Sequence, residues 1–407
     1  MHGTMISYKE AIQLIEDEFS KLNKEVIEVN IEDATGLTLA EDIYSDVNFP
    51  GFNNSSMDGY AINYSEGKKS WNITGEIPAG NFKEYPIDVN SAIRIMTGGR
   101  IPTDANVVIP IEDFIEEGGK IILRDEIKVK LKQNIRYRGD DLKSGVNAIN
   151  RNTLLKSQNI ALAAACGKAK LKVYRKLTMG VLATGDELVD ISEEQGEDKV
   201  RATNLYSLLA GVKEINMNPI NLGIVKDDKD LMMSSISSAL KSDLDILITS
   251  GGVSVGKYDL LKDIFMEAGV SCIFWRVNVK PGKPLFFGKY TKGNKTKLIF
   301  GLPGNPVSSF VSFTLFIKTA ILKFYGREDF NHHLARLETP IKKTDSKRHF
   351  IRGILRFDNN LKKYFVDTAG SQSSGNLAGL SNANCLIVIP EDMINPWTGE
   401  NVECITI

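Results

Sequence analysis

Apolar residues Ala11, Ile12, Leu14, Ile15, Phe19 and Leu22 recur at three-to-four spacing near the start of the chain, which predicts an amphipathic helix. From Phe49 to about Gly145 the apolar runs shorten. Ala92-Ile93-Arg94-Ile95-Met96 and Asn106-Val107-Val108-Ile109-Pro110 alternate with Gly, Pro and Asn turns, the pattern of a β-rich segment. An Ala- and Leu-rich stretch from Leu154 to Cys166 predicts a second helix, which would pack on the first and return the chain to the same subdomain. After Lys176, predicted strands over 177–183, 220–225, 245–249, 272–277 and 297–300 alternate with predicted helices over 203–215, 229–240, 258–268 and 307–325. Strands and helices alternating at this spacing indicate a doubly wound, mostly parallel sheet. The remaining residues are short strand-like runs such as Cys385-Leu386-Ile387-Val388-Ile389.

The expected fold class is therefore multidomain α/β. A helical/mixed linking subdomain comprises 1–48 and 146–175, a β-rich domain 49–145, a doubly wound α/β domain 176–327, and a C-terminal all-β domain 328–407. Four domains suit 407 residues, because chains this long rarely fold around one core.

Charge and composition then remove whole classes of function. Fifty Lys and Arg against 51 Asp and Glu leave a net charge of -1, which argues against a dedicated nucleic-acid binder. The longest uncharged apolar stretch, Val307 to Ile317, falls well short of the roughly 20 residues of a membrane span, and no secretory signal opens the chain. A cytoplasmic protein is expected. Cys166, Cys272, Cys385 and Cys404 form no close pair, so neither a zinc knuckle nor a disulfide scaffold is indicated. The histidines are His2, His332, His333 and His349, so chemistry in the middle of the chain must rest on carboxylates, lysines, backbone amides or a bound cation.

In an open α/β sheet, ligands bind beyond the carboxyl ends of the strands. Four loops at such ends carry polar cargo: Thr184-Gly185-Asp186-Glu187; Lys226-Asp227-Asp228; Ser250-Gly251-Gly252-Val253-Ser254-Val255-Gly256 with Asp259 beyond it; and Gly301-Leu302-Pro303-Gly304-Asn305-Pro306. Any one of them reads equally well as a solvated turn. The adjacent glycines Gly251 and Gly252 allow amides to approach a phosphate closely. Gly252 to Gly256 also matches the Gly-x-Ser-x-Gly nucleophile elbow. A serine hydrolase using Ser254 would, however, have to draw its histidine from 332, 333 or 349, in the C-terminal β segment. Pro306 initiates a helix whose first turn holds Ser308 and Ser309, and the free amides there suit an anion. In Lys280-Pro281-Gly282-Lys283-Pro284 two lysines are held on a stiff loop that suits a small oxyanion, or is simply exposed. Glu187, Asp227 and Asp259 form an all-oxygen set whose mutual repulsion calls for a cation, and Mg²⁺ is the natural one beside phosphates.

Taken in order, these loops resemble the molybdopterin molybdenumtransferase family, the bacterial MoeA proteins and the gephyrin E domain. The resemblance is carried by Asn54-Ser55-Ser56-Met57-Asp58-Gly59-Tyr60-Ala61, Ile95-Met96-Thr97-Gly98, Arg138-Gly139-Asp140-Asp141, Thr184 to Leu188, Ser250 to Gly256, Lys280 to Pro284, Leu302 to Ser308, and Gly370 to Gly375. It implies an elongated homodimer that inserts molybdenum from molybdate into adenylylated molybdopterin, with Mg²⁺-assisted release of AMP. The implied site joins the doubly wound domain of one protomer to the β-rich domain of the other. By motif, Asp58, Thr97 and Asp141 would serve from the β-rich domain. Glu187, Asp227, Asp259, Arg276, Lys280, Pro303 and Pro306 would serve from the doubly wound one. Lys280, Lys283, Arg352 and Ser371 would bind molybdate.

Gly251, Gly252, Ser254 and Ser308 complete the expected substrate contacts, and Glu187, Asp227 and Asp259 the metal ligands. Molybdopterin adenylyltransferase and molybdoenzyme maturation proteins are the implied protein partners; a clustering scaffold of gephyrin type is the alternative. Two departures from the family pattern are Arg276, where bacterial members often carry Lys, and Ala202, where Asp is usual.

Overall fold

The computed structural model describes residues 5–80, 84–252, 260–327 and 332–407. The chain divides into two compact units. One holds Glu28–Thr35 and Leu39–Val173; the other holds residues up to Ile27, Gly36–Thr38 and Tyr174–Ile407.

In the smaller unit a six-stranded sheet runs in the order Val107–Pro110, Gly59–Ile62, Ser91–Ile95, Ser70–Ile77, Lys120–Leu123, Phe114–Glu117. Alternation puts Tyr60, Ile62, Trp71, Val107 and Ile109 on one buried face and Ala61, Ile77, Ile93 and Val108 on the other, so both faces are covered. Tyr60 and Trp71 both meet Phe114 edge-on, at 5.4 and 6.2 Å between ring centroids.

The larger unit is built on the doubly wound sheet. Its order is Asn218–Val225, Thr178–Thr184, Ile246–Ser250, Lys295–Leu302, Phe286–Lys292, Ser271–Trp275. The first four strands are mutually parallel and Phe286–Lys292 alone runs against its neighbours. The sequence predicts no strand there, only the lysine loop ending at Pro284 and then a strand over 297–300. Phe286–Lys292 pairs with Lys295–Leu302 in a hairpin whose register closes at Lys292 opposite Lys295, leaving Gly293-Asn294 as the two-residue turn. Gly293, with φ of 60°, supplies the left-handed conformation such a turn requires.

Helices Thr203–Glu214, Lys229–Lys241 and Leu260–Glu267 cross between the strands. Met232, Ile236, Leu261, Ile264 and Phe265 pack on Leu182, Leu247, Phe286 and Ile299 as one buried cluster. Asp228 caps the second of these helices by accepting the Leu231 amide at 2.9 Å. Ala202 precedes the first and offers no side-chain cap.

The final helical run spans Pro306–Phe324 and passes through a π segment at Phe313–Lys318. The run has 19 residues, and its most apolar 18-residue window has a mean hydropathy of 1.5, long and apolar enough to cross a membrane, yet 83% of that window is buried inside the fold. The sequence reading counted only as far as Lys318, which ends the uncharged stretch. The structure makes the run a core helix.

The first helix, Tyr8–Ser20, is capped by Ser7 and buries Ala11, Ile15 and Phe19. The two helices expected in the linking subdomain fall in different units. Phe19 meets Phe324 edge-on at 5.9 Å, and Lys323 reaches Glu16 at 2.5 Å, both within the larger unit. Ser157–Ala165 belongs to the smaller unit.

C-terminal strands Arg348–Asp358, Lys363–Thr368, His332–Leu337, Asn401–Thr406 and Cys385–Ile389 pair in that order, and a further pairing of the last with the first closes a barrel. The two-residue strand Val279–Lys280 adds to it outside Arg348–His349. A segment of the lysine loop is thereby stitched into the barrel.

Candidate functional site

The strand order of the doubly wound sheet reverses between Thr178–Thr184 and Ile246–Ser250, because the chain leaves one flank and returns on the other. The carboxyl ends of these strands open a crevice, the usual ligand position in such sheets. Gly251 follows one end with φ of 105°, and a β-carbon there would lie 2.2 Å from the Thr184 carbonyl oxygen. Only glycine fits so close an approach. Gly252 has φ of 64°. The Asn204 side-chain amide, at the start of the first crossing helix, donates to Ser250 Oγ at 2.7 Å and to the Gly304 carbonyl at 2.8 Å. It ties the two glycine loops together. Sequence reasoning passed over Asn204; the one available signal was an asparagine in the first turn of a helix that follows a strand-end loop.

The carboxylates gather on the neighbouring loops. A β-carbon on Gly185 would sit 2.7 Å from both Glu187 carboxylate oxygens, so that carboxylate folds back over the glycine. Asp186 accepts the Asp227 amide at 3.1 Å. Partial burial, then the negative charges of Asp186 and Glu187, push the Asp227 carboxyl above its ordinary range. Thr184 Oγ1 and Thr249 Oγ1 are buried without hydrogen-bond partners, at the ends of the two strands that frame the crevice. Orphaned hydroxyls at a strand-order reversal are a reason to expect a polar ligand. Among the described residues no group of three or more His, Cys, Asp or Glu is arranged to hold a metal ion. Asp259 and Ser254 lie outside the described residues.

Lys280 and Lys283 line a separate cavity of about 590 Å³ within the same unit, with Ser308, Lys342, Lys347 and His349 around it. Gly282 has φ of 97°, and its missing side chain lets the loop approach Ser312, whose Oγ would lie 2.6 Å from a β-carbon. Asn305 Nδ2 donates to Ser374 Oγ at 2.7 Å, which anchors the Gly370–Gly375 loop at the start of the Pro306 helix. Pro303 precedes that turn and Pro306 is the first residue of the helix.

Arg352 is fixed by the loop beside this cavity. Its guanidinium is buried and donates to the carbonyls of Asn376 (2.7 Å), Ser371 (2.9 Å) and Ser373 (3.0 Å). It shapes the loop whose Gln372 and Ser374 line the cavity, while Arg352 itself is not among the lining residues. Ser371 contributes its carbonyl to that anchor.

Arg276 takes φ of 93°, uncommon for a residue with a side chain, and its guanidinium carbon stacks 3.9 Å above the Trp275 ring. Its Nε is buried without a partner.

In the smaller unit, Thr97 donates to Asp58 Oδ1 from its amide at 2.7 Å and from its hydroxyl at 2.8 Å. These bonds hold the Asp58 carboxyl below its usual range. The Ile135–Arg136 strand pairs with Asn54–Ser55, and Arg136 forms an ion pair with Asp141. Asp58, Thr97 and Asp141 are thus carried on three segments that hydrogen-bond to one another.

The three described histidines all lie in the C-terminal barrel segment, each with a neighbour of its own. His332 pairs with Glu403 at 2.5 Å, His333 stacks on Tyr364 at 4.5 Å, and His349 bonds Asp345 at 2.8 Å.

Comparison with known proteins covers almost the whole chain. Residues 6–167 match the family described as MoeA N-terminal region (domain I and II), 180–323 a probable molybdopterin binding domain, and 334–407 the MoeA C-terminal region (domain IV). The molybdopterin molybdenumtransferase of Haemophilus influenzae is 34% identical over 380 residues, 92% of each chain. Gephyrin of Dictyostelium discoideum is 32% identical; the match covers 99% of this chain and 62% of gephyrin. The crystal structure of the molybdopterin biosynthesis MoeA protein of Pyrococcus horikoshii superposes with a TM-score of 0.82 at 30% identity, covering 99% of this chain and 100% of that one.

Proposed function

The chain belongs to the molybdopterin molybdenumtransferase family and so serves molybdenum cofactor biosynthesis; on that premise we propose that it inserts molybdenum from molybdate into adenylylated molybdopterin and releases AMP with the help of Mg²⁺. One observation carries this reading. At the strand-order reversal Gly251 approaches Thr184 closely, the Thr184 and Thr249 hydroxyls are buried without partners, and on the adjoining loops the charges of Asp186 and Glu187 bear on Asp227.

Mg²⁺ suits this set because every donor is oxygen and a cation would relieve the repulsion that raises the Asp227 carboxyl. Glu187, Asp227 and Asp259 would hold it, and when bound it neutralises charge on the phosphoric anhydride. The chain's own groups do the rest. The amide of Gly252 would approach the phosphates, while Gly251, whose own amide donates to the Leu302 carbonyl at 3.2 Å, supplies the close turn, and Asn204 ties Ser250 to the Gly304 loop beside it. Lys280 and Lys283 hold the oxyanion on a loop stiffened by its prolines. No histidine is needed in the crevice, since electrostatic stabilisation and positioning serve where no proton shuttle is required. The test is AMP formation from adenylylated molybdopterin, with and without molybdate and Mg²⁺. An absence of AMP with every component present would overturn the proposal.

Lys280→Ala and Lys283→Ala are each expected to raise the KM for molybdate about tenfold or more while leaving adenylate binding intact, because a lost charge-assisted bond is worth roughly 1.5–3 kcal/mol. Steady-state AMP release at varied molybdate checks this. A change in kcat with KM constant would assign the lysines elsewhere.

We further propose that a homodimer shares its sites, Asp58 and Asp141 of one protomer serving the partner's carboxylate crevice. Mixing Asp58→Ala with Asp259→Ala protein under exchange conditions should then restore part of the activity, because one of the two heterodimer sites carries neither lesion. Sedimentation showing an active monomer would dismiss the shared site.

A further inference from the structure

The cavity beside the lysine loop contains one group that the proposed reaction does not use. His349 lies on the barrel strand Arg348–Asp358, directly opposite Lys280 in the parallel pairing with Val279–Lys280. Its side chain is only 7% exposed and lines the cavity together with Lys280, Lys283, Lys342 and Lys347. Nε2 bonds Asp345 Oδ1 at 2.8 Å, and Nδ1 has no hydrogen-bond partner among the described residues. A buried imidazole on the wall of a lysine-lined cavity is more than a filler. It is the side chain of that lining whose unperturbed titration falls near neutral pH.

We propose that His349 is an oxyanion-binding residue of this cavity, and that its imidazole takes up a proton from solvent as a tetrahedral dianion enters. The inference rests on the reading of the cavity as the molybdate pocket.

The surroundings supply the physical basis. Burial, with the positive charges of Lys280 and Lys343 adding to it, pulls the imidazole below its usual value, and Asp345 opposes them. Asp345 remains ionised to do so: burial pushes its carboxyl up, but the Lys347 amide and the His349 ring outweigh this and hold it at about 2. Lys343 spends its ammonium on the carbonyls of Asp345, Glu391 and Met393, at 2.9 to 3.1 Å. Lys347 lies 3.8 Å from the other Asp345 oxygen, and Arg348 is paired with Glu391. Across the barrel sheet His349 faces Ile389, which carries no charge. Before an anion enters, burial and the lysines therefore disfavour the imidazolium. A dianion among the lysines reverses the balance: it offsets their repulsion and offers an acceptor to the second ring nitrogen. The protonated form becomes the favoured one.

Linkage fixes the sign. If the anion raises the imidazole pKa, then lowering the pH tightens anion binding. The affinity rises as pH falls through the pKa of the occupied state, and levels off below that of the empty state. One coupled proton allows up to about tenfold per pH unit inside that window.

Isothermal titration of the full chain with sodium molybdate, between pH 6.5 and 8.5 in two buffers of different ionisation enthalpy, reads this directly. The expected result is uptake of a fraction of one proton per molybdate, growing toward the acid end alongside the affinity. His349→Gln should still bind molybdate, with no proton uptake and a flat pH profile. Asp345→Asn should move the window to lower pH, since it removes the charge that favours the imidazolium. A role confined to packing would weaken binding equally at every pH. Molybdate binding without proton uptake, or uptake that persists in His349→Gln, would overturn the inference while leaving the oxyanion pocket standing. No molybdate binding at any pH in the unaltered chain would remove the pocket itself, and the inference with it.

Discussion

Asp227→Asn should lose AMP release by about 10²–10³-fold, a range typical for deleting a group that stabilises charge in a transition state, while the protein folds as firmly as before. The raised carboxyl of Asp227 is the reason for both halves of this expectation. In the folded chain burial and the charges of Asp186 and Glu187 disfavour its ionised form. A carboxyl whose folded pKa lies above its unfolded one binds protons more readily when folded, so protonation favours the fold and ionisation works against it. The neutral amide removes that opposition. Thermal unfolding without added cation should therefore show an unchanged or slightly higher midpoint in Asp227→Asn. Raising Mg²⁺ should stabilise the unaltered chain more than the variant. The pH profile of the unaltered enzyme should fall on its acid side as Asp227 protonates, and that limb should vanish in the residual activity of the variant. Near-normal turnover with Mg²⁺ would remove Asp227 from the site.

Gly251→Ala should be the more damaging change to the protein as a whole. The new β-carbon would sit 2.2 Å from the Thr184 carbonyl oxygen and 2.8 Å from its hydroxyl, at a φ of 105° that side chains rarely adopt. Backbone cannot swing aside as a flexible side chain can. The strand end, the loop or both must move, at a cost of roughly 3–5 kcal/mol, at the far end of the usual range for single substitutions. Denaturant unfolding should show that loss, and adenylate binding should fall even where folded protein is recovered. Gly304→Ala makes the useful contrast. Its β-carbon would meet only the Gly251 α-carbon, at 3.4 Å, so it should unfold near the unaltered midpoint.

Much of this architecture could be read before any coordinates. Alternating strands and helices announced the doubly wound sheet, because parallel strands buried on both faces must be apolar throughout and must be joined by crossovers. The polar loops were legible because only the carboxyl ends of such strands point outward into a common crevice. What stayed hidden depends on distant partners. Phe286–Lys292 was masked by the prolines before it, and its identity as a strand is fixed by the hairpin with Lys295–Leu302.

Arg352 entered as an anion ligand only through the family resemblance; that the carbonyls of Ser371, Ser373 and Asn376 accept from its guanidinium depends on a loop about twenty residues downstream and could not be read locally. The sequence offers His349 only as a histidine a hydrolase could draw on, because nothing local to it says that a strand 69 residues earlier would bring Lys280 opposite it. Asn204 is a similar case, its two acceptors lying on loops 46 and 100 residues away. The helix of Tyr8–Ser20 was plain in its periodicity, yet periodicity names a buried face without naming what covers it.

The pairing of Val279–Lys280 with the barrel strand has a consequence for anyone who would treat this chain as exchangeable modules. Chain order suggests that a cut near residue 328 would lift the C-terminal barrel away cleanly. The hydrogen-bonded ladder says otherwise, since an outer strand of the barrel sheet is borrowed from far upstream and brings the lysine loop with it. A barrel grafted from a relative would arrive shaped for its donor's loop, and register across that two-residue ladder would have to be matched before the lysines pointed anywhere useful. Homologous recombination in this part of the chain is therefore expected to respect a crossover before residue 279 rather than one at the apparent linker, so that loop and barrel are inherited together.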